Sequence, residues 1–427
     1  MEECVDLLKT YFMIPQDLLE EVVYDQANTF LNKYAGITRS VDTNYLINSH
    51  LITVITGIRR SGKSTLMRQI AGLYSDFNYI NFDDERIANF TLEDFRILML
   101  VFQRKQQSKV IFLDEIQLVQ NWEMFVRRIF EEGYKIYLTG SNAKLLSSEL
   151  ATHLTGRYQK IELFPFSFKE FLKFNNFEYN EPTSKKKAEI LNLLDDYIAN
   201  GGFPEYRVLN DKEYLKIVYN DVIYRDLIVR FGIKNSKAFK QLANYLFTNF
   251  TKETSYNSLT KLFKINSPST ISDYVDYLQQ AYLIFECYKF DYSLKKQMVY
   301  NKKVYVIDNG LRNAIAFNFS KNIGQNIENM VFIALKRQQK EVYFYRSKDN
   351  YEVDFVVHQN PIELIQVTYS MQDTETADRE KRGLHVAMEE LNIQSATIIT
   401  YNEEGSLNEN KKEIKIIPLW KFLMQEN

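Results

Sequence analysis

The most constraining feature of the sequence is a glycine-rich segment between an apolar run and a helical pattern. Residues 57–64 fit the pattern G-x-x-x-x-G-K-[ST], with Gly57, Gly62, Lys63 and Ser64 at its fixed positions. Apolar residues before the segment indicate a buried strand, and those after it recur at helical spacing. A strand, a glycine-rich turn and a helix N-terminus together direct backbone N–H groups at phosphate oxygens. The sequence therefore predicts a nucleotide site.

Each position in this loop suggests a role towards a nucleoside triphosphate and its metal ion. Lys63 is expected to contact the β- and γ-phosphates, and the Ser64 hydroxyl to bind Mg²⁺. The backbone of the loop is expected to surround the phosphates. The predicted nucleotide-binding residues are Gly57, Ile58, Arg59, Arg60, Ser61, Gly62, Lys63, Ser64 and Thr65. The expected cofactors are ATP and Mg²⁺.

A second apolar run, residues 109–117, contains two adjacent acidic residues at its polar end. Asp114 would close this strand at the position of a metal-binding carboxylate in a phosphate-loop protein. Glu115 is suited to polarise an attacking water, which favours hydrolysis over passive nucleotide binding. Asp84 comes at the end of another predicted strand; a solvated loop is the preferred interpretation, and a position near the metal is the alternative.

Polar residues also follow the next predicted strand. Ser141 and Asn142 stand where a side chain can sense the γ-phosphate. Arg157 comes soon afterwards and is suited to complete the site of a neighbouring copy, which requires a homo-oligomer. The alternative for Arg157 is a surface position or a structural salt bridge.

Composition bounds the class of protein. The 427 residues suggest about three domains, and 53 Lys and Arg balance 55 Asp and Glu, so any basic surface must be local. No run approaches 18 apolar residues, so we expect no membrane span. Two cysteines argue against a disulfide scaffold, and four histidines without metal-ligand spacing argue against a zinc site. The few cysteines and the absence of a signal-peptide pattern predict a cytoplasmic protein.

The sequence patterns divide the chain into segments. Residues 1–50 are expected to form a helical lead-in, and strand and helix patterns alternate over residues 51–165, as in a parallel sheet. Residues 166–235 are helical, with a break at 200–204, and suggest a lid. Residues 236–292 predict helices followed by a strand, which is the outline of a winged helix.

The winged-helix segment carries a local basic surface. Lysines there are suited to contact phosphates, namely Lys252, Lys261, Lys264, Lys289, Lys295 and Lys296. Asp273 and Asp276 on the third helix argue against base-specific readout. The sequence leaves open whether this segment contacts DNA or serves packing and oligomer contacts.

Residues 293–427 carry polar residues on a helix and on successive strands. Glu328 lies on a predicted helix, Asp354 on a strand, and Gln366 and Thr368 at alternate positions of the next strand. This order resembles the core of PD-(D/E)xK nucleases, where two acidic residues and a lysine act on a phosphate with a metal ion. Gln366 stands in place of the glutamate and Thr368 in place of the lysine. We therefore expect a binding or assembly module rather than an active nuclease.

Two further expectations concern the end of the chain. Lys381 or Arg382, on the helix after these strands, could supply the missing positive charge. The polar residues 402–412 predict a loop.

Together these motifs resemble a family of prokaryotic AAA+ ATPases with a restriction-endonuclease-like C-terminal domain. They are residues 57–64, 113–117, 138–142, 154–157, 201–205, 306–310, 328–329 and 352–355. The resemblance implies an α/β fold: a P-loop NTPase (AAA+) parallel sheet with a helical lid, a winged helix over 236–292 and a nuclease-like α/β domain over 293–427. It also implies ATP binding and hydrolysis.

Three functions follow from these expectations. The leading hypothesis is a Mg²⁺-dependent ATPase that couples its nucleotide state to the binding of DNA or of a protein partner. The second is an ATP-gated DNA nuclease. The third is a nucleotide-controlled assembly switch with negligible turnover. The sequence specifies no membrane contact and leaves the DNA, the partner and the size of the oligomer open.

Overall fold

The computed structural model describes residues 13–140, 154–181, 183–316, 323–409 and 412–425. The chain divides into two compact units, one of residues 1–57 with 62–163 and one of residues 58–61 with 164–427. Among the described residues, no helix combines the length and the apolar character needed to cross a bilayer.

The first unit is built around a five-stranded parallel sheet with the strand order β2-β3-β4-β1-β5. Its described strands are β1 (Ile52–Thr56), β2 (Asn78–Asn81), β3 (Val110–Asp114), β4 (Lys135–Gly140) and β5 (Tyr158–Glu162). Its described helices are α1 (Gln16–Asn32), α2 (Thr43–Asn48), α3 (Lys63–Ala71), α4 (Asp94–Lys105) and α5 (Trp122–Glu131). The parallel sheet predicted within residues 51–165 is confirmed.

Burial on both faces explains why these strands are apolar runs rather than alternating patterns. Every residue of β1 is buried, as expected for a parallel strand covered by helices on each side. Helix α5 covers the sheet with Trp122, Phe125, Val126 and Ile129, which recur at the spacing of one helix face.

Parallel pairing brings the carboxyl ends of all five strands to one edge of the sheet. Strand β1 leads there into the loop of residues 57–62, and β3 ends there at Asp114. Open parallel sheets bind their ligands at this edge, where adjacent loops and helix N-termini converge. The fold therefore brings the end of β1, which leads into the glycine-rich loop, and Asp114 to the same edge of the sheet.

The second unit begins with helices. They are α6 (Phe168–Phe174), α7 (Ser184–Asn200), α8 (Pro204–Leu209) and α9 (Lys212–Asp221), continued by a π-helix over Val222–Val229. The Ser167 hydroxyl accepts a hydrogen bond from the Glu170 N–H at 3.1 Å, and the Ser167 N–H donates to the Glu170 carboxylate at 2.9 Å. This reciprocal cap fixes the start of α6.

Two sequence motifs, residues 201–205 and 306–310, meet within the second unit. The buried Asp308 carboxylate accepts hydrogen bonds from the Gly202 N–H at 2.6 Å and the Leu311 N–H at 2.9 Å. A Cβ atom at Gly310 would lie 2.1 Å from the carbonyl oxygen of Asn200. The close backbone contact therefore requires glycine at position 310.

The next segment combines short helices and strands. Its elements are α10 (Ser236–Thr248), β6 (Glu253–Thr254), α11 (Tyr256–Phe263), α12 (Pro268–Gln280), β7 (Ile284–Lys289), α13 (Leu294–Val299), β8 (Lys302–Val306) and α14 (Asn309–Ile315). Strand β8 pairs antiparallel with both β6 and β7. The small sheet therefore extends past residue 292, the boundary expected from the sequence.

The C-terminal part extends this sheet. Its elements are α15 (Ile323–Arg337), β9 (Val342–Arg346), β10 (Glu352–Val357), β11 (Glu363–Val367), α16 (Thr374–Glu390), β12 (Ser395–Thr400), β13 (Gly405–Glu409), β14 (Lys412–Pro418) and α17 (Leu419–Met424). Because β7 pairs with β9, nine strands form one sheet in the order β13-β14-β12-β11-β10-β9-β7-β8-β6.

The loop expected over residues 402–412 is a wrong prediction. Much of this segment forms β13 and the start of β14, which pair antiparallel. Among the described strands, β13 lies at the edge of the sheet and pairs on one side only, with β14. Edge strands tolerate polar residues, so the apolar signal of a buried strand is missing here.

Candidate functional site

The glycine-rich loop ends where helix α3 begins at Lys63. Gly62 has φ 97°, a left-handed conformation that glycine adopts without steric cost. The Lys63 side chain is buried, and its Nζ donates a hydrogen bond to the Gly57 carbonyl oxygen at 3.1 Å. The loop therefore curls around the lysine and leads directly into a helix N-terminus.

Asp114 is held at the end of β3 by two hydroxyl groups. The Thr139 hydroxyl on β4 donates to Asp114 Oδ1, and the Tyr79 hydroxyl on β2 donates to Asp114 Oδ2 at 3.2 Å. Burial, together with the nearby Asp114 carboxylate, raises the pKa of Tyr79, so the phenol stays a hydrogen-bond donor. The neighbouring strands thus orient the buried carboxylate, and the sequence interpretation missed both donors.

Glu115 follows with an unusual backbone conformation. Its φ is 54°, in the left-handed region that a non-glycine residue rarely adopts. The Glu115 N–H donates to the Thr139 hydroxyl at 2.9 Å, and the Gln117 amide donates to the Glu115 carboxylate. Thr139 therefore contacts both acidic residues at once. Non-glycine residues held in this region are concentrated at functional sites.

Ser64 and Asp114 line one cavity of about 330 Å³, together with Arg68, Tyr79 and Asp84. Asp84 lies in the loop after β2 and is partly buried, and its carboxylate contacts both Gln26 and Arg86. The hydrogen bonds from Arg86 lower the pKa of Asp84 to about 2. Asp84 thus stays ionised at the wall of this cavity, in a loop as expected, but with its carboxylate bound by protein groups.

The two arginines of the loop have carboxylate partners. Arg59 donates to both carboxylate oxygens of Asp226, each at 3.0 Å, and Arg60 lies 3.3 Å from the Glu205 carboxylate. Residues 58–61 group with the second unit, to which Asp226 and Glu205 also belong. These guanidinium groups are engaged by acids, so backbone N–H groups are the natural phosphate donors at these two positions.

Arg157 lies at the opposite edge of the parallel sheet. It immediately precedes β5, and its carbonyl accepts a hydrogen bond from the Ile52 N–H at the start of β1. A strand of five residues spans roughly 17 Å, which separates Arg157 from the carboxyl end of β1. Its guanidinium lies 3.7 Å from Glu131 and is partly exposed. Ser141 and Asn142 lie outside the described residues.

A second cluster of charged residues lies in the C-terminal part of the second unit. Lys303 on β8 has a side chain only 4% exposed, and its Nζ lies 3.1 Å from Glu328, 2.6 Å from Glu352 and 3.5 Å from Asp354. Burial disfavours its charge, but Glu328, Asp354 and Glu352 outweigh that effect and raise the pKa of Lys303. Burial also raises the pKa of Asp354 and Glu328. The lysine is therefore the charged centre of the cluster.

The polar residues expected on β11 take part only indirectly. Gln366 Oε1 accepts the Asp354 N–H at 3.1 Å, and its amide donates to Glu380 at 2.6 Å. Thr368 follows the end of β11, and its hydroxyl lies 3.4 Å from the carbonyl oxygen of Ser370. Gln366 thus contacts Asp354, and Lys303 links Asp354 to Glu328.

The source of the positive charge in this cluster differs from the expectation. It is Lys303 on β8, rather than Lys381 or Arg382 on α16. Lys303 and Tyr305 share one face of β8, and both contact Glu328. Within the described part of the chain, no group of three or more acidic, histidine or cysteine side chains is arranged to hold a metal ion.

Comparison with known proteins gives the family. The chain is 39% identical to the uncharacterized protein MJ1544 of Methanocaldococcus jannaschii, over 98% of both chains. The chain belongs to the same family as this archaeal protein. An uncharacterized protein of Haemophilus influenzae is 31% identical over 79% of this chain and 87% of its own.

Family models match three consecutive segments of the chain. Residues 49–172 match an AAA domain, residues 191–322 a domain of unknown function (DUF8612) and residues 323–422 another (DUF4143). The AAA domain includes the loop, Asp114, Glu115 and Arg157. Residues 49–172 are therefore an AAA domain, and this match supports nucleotide binding by that part of the chain.

Solved structures show only a distant likeness. One is replication initiator DnaA bound to AMPPCP and single-stranded DNA, at 16% identity and TM-score 0.26, covering 63% of this chain and 93% of that chain. Another is C. elegans PCH-2, at 13% identity and TM-score 0.27, covering 44% and 58%. Both TM-scores are low.

Proposed function

We propose that this protein is a Mg²⁺-dependent ATPase that couples its nucleotide state to the binding of DNA, and that its C-terminal nuclease-like domain does not cut DNA. The proposal depends on one observation: Lys63, Ser64 and Asp114 lie together at the carboxyl edge of the parallel sheet. There the Thr139 hydroxyl is hydrogen-bonded to the Asp114 carboxylate and to the Glu115 N–H.

The residues present fit a Mg²⁺ ion. Mg²⁺ prefers oxygen ligands, and here a serine hydroxyl and a buried carboxylate line the same cavity. Bound there with ATP, the ion would neutralise charge on the β- and γ-phosphates. Lys63 and the loop N–H groups hold the phosphates, while Thr139 and Tyr79 keep the Asp114 carboxylate oriented.

Glu115 is the residue that we assign to the attacking water. A carboxylate next to the metal-binding Asp114 can accept the proton of that water. Its backbone N–H is held by the Thr139 hydroxyl, and its carboxylate accepts a hydrogen bond from the Gln117 amide. The left-handed conformation at Glu115 supports this role, since such a conformation has an energetic cost that a simple strand end would avoid.

Arg157 is proposed to act on the nucleotide of a neighbouring copy. Because it lies at the opposite edge of the sheet from its own loop, it cannot reach its own phosphates without unfolding β5. An arginine supplied by a neighbour would stabilise charge on the transferred phosphate. Activity would then require a homo-oligomer.

DNA binding is assigned to residues 236–306, which we interpret as a winged helix. The order α10-β6-α11-α12-β7-β8 supports this interpretation. Lys252, Lys261 and Lys264 are exposed, and the N-terminus of α12 carries the hydroxyl groups of Ser267 and Ser269. These groups suit phosphate contacts rather than recognition of bases.

The test is ATP turnover with and without double-stranded DNA, measured together with oligomer size. We expect DNA-stimulated turnover in the wild type and a loss of about 10²-fold or more in Glu115→Gln, with ATP binding retained. Lys63→Ala should lose ATP binding itself. Wild-type turnover at the level of Glu115→Gln would contradict the assignment of an ATPase.

The DNA assignment has its own matched control. Replacing Lys261 and Lys264 by glutamine should weaken DNA binding and reduce its dependence on salt, because about two phosphate contacts are lost. Replacing Lys185 and Lys187 on α7, which are also exposed, removes the same charge from another helix and should leave binding unchanged. Equal effects of the two pairs would indicate only a general loss of charge.

A protein-directed assembly switch is the second candidate. The observation in its favour is α13, on which Leu294, Met298 and Val299 are each at least 73% exposed, next to an exposed Tyr292. Exposed apolar groups of this kind suit a protein partner better than DNA. Negligible ATP turnover, with partner binding retained by Glu115→Gln in ATP, would favour the switch.

An ATP-gated nuclease is the least supported candidate. It requires phosphodiester cleavage that depends on a divalent metal and is lost in Asp354→Ala. The burial of Asp354 and Gln366 argues against access of a DNA backbone to these groups.

A further inference from the structure

The charged cluster around Lys303 has the oxygen atoms that a nuclease-like site would offer to a metal, but a lysine lies among them. Its ammonium is 2.6 Å from Glu352 Oε1, 3.1 Å from Glu328 Oε1 and 3.5 Å from Asp354 Oδ1. Any divalent cation bound by these carboxylates would have to occupy the space of the ammonium. The residues present therefore do not fit a metal ion.

We propose that Lys303 is the built-in cation of this cluster and takes the place that a divalent metal holds in PD-(D/E)xK nucleases. The cluster then binds no metal and acts as a permanent ionic contact between β8, α15 and β10.

The proposal is supported by the oxygen atoms of the cluster, because they already accept hydrogen bonds from other protein groups. Asp354 Oδ2 accepts the Val367 N–H at 2.9 Å, and Glu328 Oε1 also accepts the Tyr305 hydroxyl at 2.7 Å. Gln366 Oε1, the oxygen nearest in role to the missing glutamate, accepts the Asp354 N–H. A metal would have to displace several of these bonds.

The position of Lys303 in the sheet keeps its ammonium permanently within the cluster. It lies within β8, paired on one side with Glu253 of β6 and on the other with Cys287 of β7. Its backbone is therefore held by two neighbouring strands, unlike that of a loop lysine, which can swing away.

The cation and the anions come from different family segments. Lys303 belongs to the segment 191–322, whereas Glu328, Glu352 and Asp354 belong to the segment 323–422. The second segment alone would carry a cluster of acidic side chains without their lysine. The contact thus makes the two segments depend on each other, whether or not the chain hydrolyses ATP.

The test is Mn²⁺ binding by the nucleotide-free, full-length protein, followed through the electron paramagnetic resonance signal of free Mn²⁺. Lys303→Met keeps the length of the side chain and removes its charge. Lys302→Met is the matched control, because this neighbour lies over the Tyr256 and Tyr288 rings and outside the cluster. Asp354→Asn, alone and combined with Lys303→Met, assigns any bound ion to the cluster.

We expect Lys303→Met to gain one Mn²⁺ per chain, bound at least on the order of 10³-fold more tightly than by the wild type at these residues. Addition of Asp354→Asn should abolish the gain, and Lys302→Met should behave as the wild type. A folded Lys303→Met protein that gains no Mn²⁺ would overturn the proposal.

The wild-type protein tests the proposal even if Lys303→Met does not fold. If the lysine holds the site, the wild type and Asp354→Asn bind the same number of Mn²⁺ ions. A wild-type Mn²⁺ ion that Asp354→Asn loses would show that the cluster binds metal despite Lys303. Because no nucleotide is present, either result leaves the proposed ATPase activity to its own test.

Discussion

Replacing Thr139 by valine tests whether one hydroxyl organises both acidic residues of the nucleotide site. The change keeps the branched shape of the side chain and removes only the oxygen. That oxygen donates to Asp114 and accepts the Glu115 N–H at 2.9 Å, and Thr139 is fully buried. The variant therefore leaves a buried carboxylate with one donor fewer and a backbone N–H without its acceptor.

The expected magnitude follows from these two lost bonds. A hydrogen bond to a charged group contributes about 1.5–3 kcal/mol, and a buried donor left unsatisfied costs a similar amount. If one such bond is fully required in the transition state, kcat falls about 10- to 150-fold. ATP affinity should change little, because the expected phosphate contacts come from the loop and from Lys63. The Lys63 ammonium is hydrogen-bonded to the Gly57 carbonyl oxygen and not to Thr139.

The assay is steady-state ATP turnover together with equilibrium binding of ATP. Thr53→Val is the matched control, because Thr53 is equally buried on β1 and its hydroxyl accepts a bond from Gln159 rather than contacting an acidic residue. A kcat of Thr139→Val within twofold of the control would refute the reasoning. So would a loss of ATP affinity that accounts for the whole fall in kcat/KM.

Three further predictions concern stability. Asp308→Ala should lower the free energy of unfolding of the second unit by about 2–4 kcal/mol, because two buried N–H groups lose their acceptor. The control Asp211→Ala, which removes an exposed helix cap, should cost about 1 kcal/mol. Both values are measured by urea unfolding followed through Trp420 fluorescence. Gly310→Ala should cost about 3 kcal/mol in the same assay, because its Cβ would clash with a backbone carbonyl. Asp84→Asn should be less stable than the wild type at neutral pH. Because the pKa of Asp84 is about 2 in the folded protein and 3.8 ordinarily, that difference should shrink as pH falls from about 4 towards 2 in thermal denaturation, with Asp83→Asn as control.

The nucleotide site could be predicted from the sequence because its chemistry is local. Gly57, Gly62, Lys63 and Ser64 lie within one turn and the start of one helix, so their spacing alone defines the geometry. Asp114 was predictable for a related reason, since the ends of parallel strands meet at one edge. Thr139 was not, because a hydroxyl near the end of an apolar strand has no spacing that marks its partner across the sheet.

Lys303 could not be predicted because its partners depend on strand order. It lies 25 residues before Glu328 and 51 before Asp354, and only the pairing of β7 with β9 brings β8 into the same sheet as β10. Lys381 and Arg382 follow β11 in the chain, so the sequence alone favours them as the source of the missing positive charge. The order of strands in the sheet differs from their order along the chain, and it is the order in the sheet that brings the Lys303 ammonium into the cluster.

Asp308 illustrates why an acidic residue in a recurrent motif need not be catalytic. Both of its carboxylate oxygens accept backbone N–H groups, one from Gly202 and one from Leu311, and the residue is buried. Burial raises its pKa while those N–H groups lower it, and burial prevails. The cavity that Asp308 lines has a volume of only about 20 Å³, which is too small for a substrate. Its function is to hold the glycine-rich break after α7 against the start of α14, which explains why residues 201–205 and 306–310 belong to one structural feature.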